Sequence, residues 1–65
     1  MGATKLSTYI KSRRINMGIT QTEFARKLKV NRSTVIRYES GETEPTFSMF
    51  IKICKVLDMK IEDFI

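Results

Sequence analysis

The stretch from Thr20 to Glu39, TQTEFARKLKVNRSTVIRYE, constrains the fold of this chain more than any other. It reads as two short amphipathic helices broken by one tight turn. Thr20 is a good N-cap and Glu23 follows three residues later, so a hydroxyl and a carboxylate can satisfy orphan backbone donors reciprocally. Phe24, Ala25 and Leu28 then share one face at helical spacing, and Ala25 is small enough for another helix to cross close by. Val30 interrupts the pattern, and Asn31 offers a second N-cap before Arg32. Two helices joined by so short a turn form a unit whose second helix can enter a DNA major groove.

The faces of that second helix differ. At about 100° per residue, Arg32, Ser33, Ile36 and Arg37 fall on one side, and Thr34, Val35 and Tyr38 on the other. The apolar side has a core to meet. The opposite side carries two guanidinium groups, a hydroxyl and an aliphatic group. Arginine can pair bidentately with guanine O6 and N7, serine suits several base edges, and an aliphatic side chain can touch a thymine methyl. Arg32, Ser33, Ile36 and Arg37 are therefore the expected base-reading residues.

Charge points the same way. The net charge is +5, but residues 1–39 hold nine Lys and Arg against Glu23 and Glu39, whereas residues 40–65 hold three Lys against five acids. Positive charge thus collects where the two-helix unit lies, as a polyanion-binding surface requires. Sixty-five residues and an apolar share of 42% make one expected domain, 1–65, near the lower size limit for a self-sufficient core. Cys54 is alone and histidine is absent, so neither a disulfide nor a zinc site is available. No apolar run approaches the ~18 residues of a membrane span, and no cleavable leader pattern opens the chain, so a cytoplasmic, nucleoid-associated location is expected.

Further helices frame the unit. The first is expected over about 5–17, with Leu6, Ile10, Arg14 and Met17 on one stripe and Gly18 as a left-handed terminator. An arginine facing inward wants an acid, and Glu39 is the nearest candidate, so Arg14–Glu39 is expected to be a partly buried structural pair. After helices at about 20–28 and 31–39, Ser40-Gly41 closes the second and residues 42–45 form a loop. A fourth helix, about 46–57, is expected to bury Phe47, Phe50, Ile51, Cys54 and Leu57, with Lys52 and Lys55 outward. A fifth, 61–65, carries Ile61, Phe64 and Ile65. The expected class is all-α: a compact bundle of five helices around a central helix-turn-helix.

Arg14, Gly18, Thr20-Gln21, Ala25, Val35, Glu39, Gly41, Pro45 and the closing VLDMKIEDFI also carry a family resemblance. In order and spacing they resemble the lambda-type phage repressor, Cro and Xre helix-turn-helix family over nearly the whole chain. The resemblance implies sequence-specific binding of double-stranded DNA by a transcriptional regulator, most often a repressor working as a dimer on a palindromic operator. It implies that Gln21 contacts a phosphate and braces the recognition helix, and that Ser40 to Thr43 present backbone N–H groups to phosphate. Arg14, Thr20 and Asn31 complete the expected phosphate set. The chain departs from the family pattern at four places. Lys29 and Asp58 stand where glycine is common, which implies two non-glycine residues at positive φ. Ile36 is apolar on the outward face, and Glu42 and Glu44 replace basic loop residues.

An antitoxin, a controller or a protein-interaction module on the same fold is the alternative, suited by exposed Ile36, Glu42 and Glu44. Enzymatic activity is not expected. Cys54 lacks an imidazole partner on an apolar face, and Glu62-Asp63 complements a helix start. No metal, cofactor or small-molecule ligand is implied. One small domain reads only about one half-site, so a weak homodimer is expected, formed on DNA if not before. The apolar surplus at Met59, Phe64 and Ile65 is its expected interface, with Ile61 given to the monomer core.

Overall fold

The computed structural model describes residues 4–64, with the side chains of Asp63 and Phe64 outside the description. Within it run α1 (Lys5–Asn16), α2 (Gln21–Leu28), α3 (Arg32–Ser40) and α4 (Phe47–Leu57), followed by a 3₁₀ turn at Ile61–Phe64. The described residues thus form four α-helices, and the expected fifth is this 3₁₀ turn. Four residues are too few to close more than the tighter i→i+3 bonds.

Each helix starts where local chemistry dictates. Thr20 and Glu23 form the capping box: the Glu23 N–H donates to Thr20 Oγ1 at 3.0 Å and the Thr20 N–H to Glu23 Oε1 at 2.8 Å. Thr4 and Ser7 do the same for α1, and Thr46 Oγ1 accepts from the Met49 N–H to start α4. The α1 box also explains why Ser7 can be buried, since its hydroxyl donates to Thr4 O at 3.0 Å. Asn31 precedes α3 with extended backbone, but its side chain makes no capping bond, contrary to the sequence expectation.

Left-handed residues end three of these segments. Gly41 (φ 82) closes α3, while Lys29 (φ 61) and Asp58 (φ 54) close α2 and α4 without being glycine. Each non-glycine residue there costs roughly 1–2 kcal/mol from Cβ–carbonyl crowding. Gly18 (φ 72) turns the chain after α1.

The core lies between two helix pairs, α2 packing on α3 and α4, and α1 on α3 and α4. Ile10, Phe24, Leu28, Val35, Ile53 and Leu57 are fully enclosed. Two expectations about faces fail here. Helix α4 buries Phe50, Ile53, Cys54 and Leu57, while Phe47 is 69% exposed and Ile51 only half-buried. A run as apolar as FSMFIKIC offers two helical stripes, and the packing of α1 and α2 selects the one through Ile53. Met17 lies past the end of α1 and is exposed, so the inward stripe stops at Arg14.

Arg13 fastens the far end. Its Nε and Nη2 donate to Leu57 O at 3.2 and 2.9 Å, capping the last turn of α4 from a distance of 44 residues. Helix α4 ends in orphan carbonyls, and a guanidinium is well matched to them.

Candidate nucleic-acid interface

Helix α3 shows the two faces read from its sequence. Val35 and Tyr38 are buried and Thr34 half-buried, whereas Arg32, Ser33, Ile36 and Arg37 are all exposed. Ile36 is 41% exposed, an aliphatic group held in solvent between two arginines. The Arg37 side chain makes no hydrogen bond or ion pair with any described residue, which leaves its guanidinium free for an external acceptor.

What holds this face in place is buried and ionic. Arg14 Nε donates to Glu39 Oε2 at 2.6 Å and Arg14 Nη2 to Glu39 Oε1 at 3.2 Å. Arg14 Nη1 donates to Ile19 O at 2.9 Å, so one side chain ties α1, the turn after it and α3. The two side chains are 11% and 3% exposed. At that burial, removing one partner strands a charge and costs roughly 3–5 kcal/mol. Arg14 is thus turned away from solvent with its donors engaged, and in this conformation it reaches no phosphate.

Gln21, the first residue of α2, joins the same carboxylate: its Nε2 donates to Glu39 Oε1 at 3.1 Å. Its Oε1 in turn accepts from Arg32 Nη2 at 3.5 Å. A line of hydrogen bonds therefore runs from the buried pair to the exposed start of α3. Thr20 and Asn31 stand exposed at the starts of α2 and α3. The Thr20 oxygen is engaged in its cap, while the Asn31 amide caps nothing. Glu23 has its carboxyl held below the usual value of 4.5, first by the Thr20 backbone N–H, then by the Thr20 hydroxyl.

The loop after α3 differs from what the resemblance implied. The Gly41 N–H donates to Tyr38 O, and those of Glu42 and Thr43 both donate to Arg37 O. The Ser40 hydroxyl donates to Arg37 O as well. These groups are turned back to satisfy the last carbonyls of α3, so the backbone of residues 41–43 does not offer its N–H groups to phosphate. Only the Thr43 hydroxyl remains for that role, between exposed Glu42 and Glu44.

The remaining expectations fall elsewhere. Met59 is 8% exposed and belongs to the core, because the left-handed Asp58 folds the chain back and the Met59 N–H donates to Cys54 O. It is therefore unavailable as a surface for a partner. Ile65 and the Phe64 side chain lie outside the described residues. Half-buried Ile61 packs on the core. A shallow groove is lined by Ile51, Cys54, Lys55 and Ile61, and burial raises the Cys54 thiol above its usual pKa. Among the described residues no cluster of His, Cys, Asp and Glu could hold a metal, and no helix is long and apolar enough to cross a membrane.

Comparison with known proteins gives this geometry a context. The sequence matches the helix-turn-helix family over residues 10–64. An uncharacterized HTH-type transcriptional regulator of Archaeoglobus fulgidus is 36% identical over 58 residues, covering 89% of this chain and 83% of its own. Among solved structures, the restriction-modification controller protein C.AhdI of Aeromonas hydrophila superposes with a TM-score of 0.83 at 21% identity. That match covers 94% of this chain and 92% of the controller, and shows a shared fold. A single-site variant of HipB, in its complex with an O2 20mer, superposes with a TM-score of 0.74 at 29% identity, covering 89% of this chain and 81% of HipB.

Proposed function

Since the chain belongs to the Cro/C1-type helix-turn-helix family of transcriptional regulators, we propose that it represses transcription by binding a palindromic operator as a homodimer, with α3 in the major groove. The observation that carries this reading is the exposed quartet Arg32, Ser33, Ile36 and Arg37 on a helix whose opposite face is pinned by the buried Arg14–Glu39 pair. A rigid mount matters because discrimination between bases depends on donors placed to within tenths of an ångström. Guanidinium groups read guanine, and Ile36 meets a thymine methyl. Thr20, Gln21, Asn31 and Thr43 ring this face at helix starts and in the loop, where phosphate contacts set the register. The cytoplasm is the location this function requires.

Selection of bound duplexes from a random DNA pool tests the reading. The expected product is a two-fold symmetric site with half-sites about 34 Å apart, one helical turn. Arg37→Ala should relax the preference at one base pair and cost roughly 1–3 kcal/mol on the selected site. A pool that yields no consensus, with affinity independent of salt, would instead favour a protein-docking module on the same fold.

A further inference from the structure

Helix α4 carries apolar groups that its own core does not use. At about 100° per residue, Phe47, Ile51, Cys54 and Asp58 fall within a stripe about 60° wide, beside the inward face of Phe50, Ile53 and Leu57. Along that stripe Cys54 is buried, Ile51 is half-buried and Phe47 is 69% exposed. The apolar surface therefore rises out of the core toward the start of the helix. At the other end residues 58–62 come back beside Ile51, Cys54 and Lys55 and enclose a groove of about 350 Å³. Ile51, Cys54, Met59 and Ile61 give it an apolar floor. One α4 thus presents an aromatic knob at its start and an apolar groove at its end, about 16 Å apart.

A two-fold axis crossing α4 between Lys52 and Ile53 brings the two features together. Antiparallel pairing about it sets Phe47 opposite the partner's Asp58, at the mouth of the groove, and Ile51 opposite the partner's Cys54. Charge favours the same direction. The segment leading into α4 carries exposed Glu42 and Glu44, while in the second half of the helix and the turn after it Lys52, Lys55 and Lys60 outnumber Asp58 and Glu62. Glu42, Glu44, Lys55 and Lys60 make no ion pair with any described residue. Antiparallel copies bring the acidic start of one helix to the more basic end of the other and oppose the two helix dipoles. None of this stripe belongs to the reading face of α3, which packs on α1 and α2.

We propose that Phe47 anchors an isologous contact between two copies of this chain, each seating its phenyl ring in the α4 groove of the other. This rests on the dimer reading above and supplies the surface for it. Met59, expected to face a partner, forms the floor that the partner's ring meets. Two rings and two isoleucines bury less than the roughly 1,200 Å² of a stable interface. Free chains therefore stay largely apart, and pairing shows once a palindrome holds two copies side by side.

The test compares a full palindromic duplex, selected by the wild-type chain, with its half-site, and reads the coupling as the affinity gained by the second subunit. Phe47 lies outside the core, so F47A keeps the fold. It should hold half-site affinity within about twofold of wild type and cut the coupling about tenfold. K55E should cut the coupling about threefold, and E44K in the same chain should restore it to within about twofold, because one charge reversal answers the other across the axis. Unchanged coupling in F47A, no coupling in the wild type, or no rescue of K55E by E44K overturns the contact and leaves DNA binding intact. Equal losses on half-site and full site in F47A also overturn it, since they place the ring on DNA. A wild-type chain that binds no duplex overturns the DNA-binding reading by itself. The contact is then decided by sedimentation of free chains at about 1 mM, where wild type should dimerise and F47A should not, and a monomeric wild type overturns it.

Discussion

At the scale of single residues, the chain carries strain and protection in known places. Lys29 and Asp58 hold left-handed backbone that glycine would adopt without penalty. Lys29→Gly should raise stability by about 0.5–1 kcal/mol, the steric relief of roughly 1–2 kcal/mol being partly offset by the greater freedom of glycine in the unfolded chain. Urea denaturation reads the gain directly, and an unchanged or lower midpoint would show that the lysine is unstrained there. The Glu23 carboxyl behaves differently, because its advantage depends on pH. Its folded-state pKa is lowered by the Thr20 N–H, so its stabilisation is complete above the ordinary value of 4.5 and fades as pH falls through the folded value. Glu23→Gln should therefore be less stable than wild type at pH 7, and the two chains should converge in thermal melts as pH falls below 4.5. A gap independent of pH would assign the effect to the backbone bond alone.

At the scale of helices, what was legible in the sequence was whatever local chemistry decides. The Thr20–Glu23 box, the glycine stop after α3 and the division of α3 into apolar and polar faces all follow from side chains within a few residues of one another, while the positive φ at Lys29 and Asp58 was legible only through the family resemblance. The Arg14–Glu39 partnership was also readable, because a lone cation on an apolar stripe has few acids within reach. Three features needed the assembled molecule. The run over residues 47–54 is broken only by Ser48 and Lys52, so its sequence admits two buried stripes, and only contact with α1 and α2 chooses between them. Met59 reads as surplus in the sequence, because nothing local shows that a left-handed turn at Asp58 folds it inward. The N–H groups of residues 41–43 read as available because their capture depends on how tightly Gly41 turns the chain back onto α3. The corrected stripe has a measurable consequence. Ile53→Ala should cost about 2–5 kcal/mol, as for a fully enclosed aliphatic side chain, while Phe47→Ala should stay within about 0.5 kcal/mol of wild type. Equal losses at the two positions would restore the other stripe.

At the scale of the whole molecule, size governs how the chain meets DNA. The body measures 28 × 26 × 22 Å, less than the ~34 Å of one DNA turn. Two copies set on successive turns can touch only along an edge, which suits pairing that DNA itself promotes. Arg13 and Arg14 have guanidinium nitrogens bound to Leu57 O and Glu39 respectively. Lys29, Arg32 and Arg37, exposed at the turn and on α3, remain to displace counterions at the docked face. With two or three contacts per subunit, the log–log salt slope for a dimer should lie between about −3.5 and −5.5. Sedimentation on a palindromic site should find two chains per duplex at saturation. One chain per full site would end the dimer reading, and a slope beyond about −7 would mean that cations outside the turn and α3 also join the contact.

The neighbouring Arg13 and Arg14 also imply an order of assembly. Arg14 reaches its partner across 25 residues and Arg13 across 44, so the first loop is entropically easier to close by about 0.5 kcal/mol. The Arg14 closure brings together α1, α2 and α3, whereas the Arg13 clasp must wait until α4 has been made and wound to its end. The helix-turn-helix should therefore form as a nucleus, with α4 condensing onto it late. Kinetic measurements on conservative core variants should then give φ-values near 0.5–0.8 for Val35→Ala and below about 0.3 for Leu57→Ala. In refolding, the DNA-reading surface would therefore be organised while the last helix is still unwound.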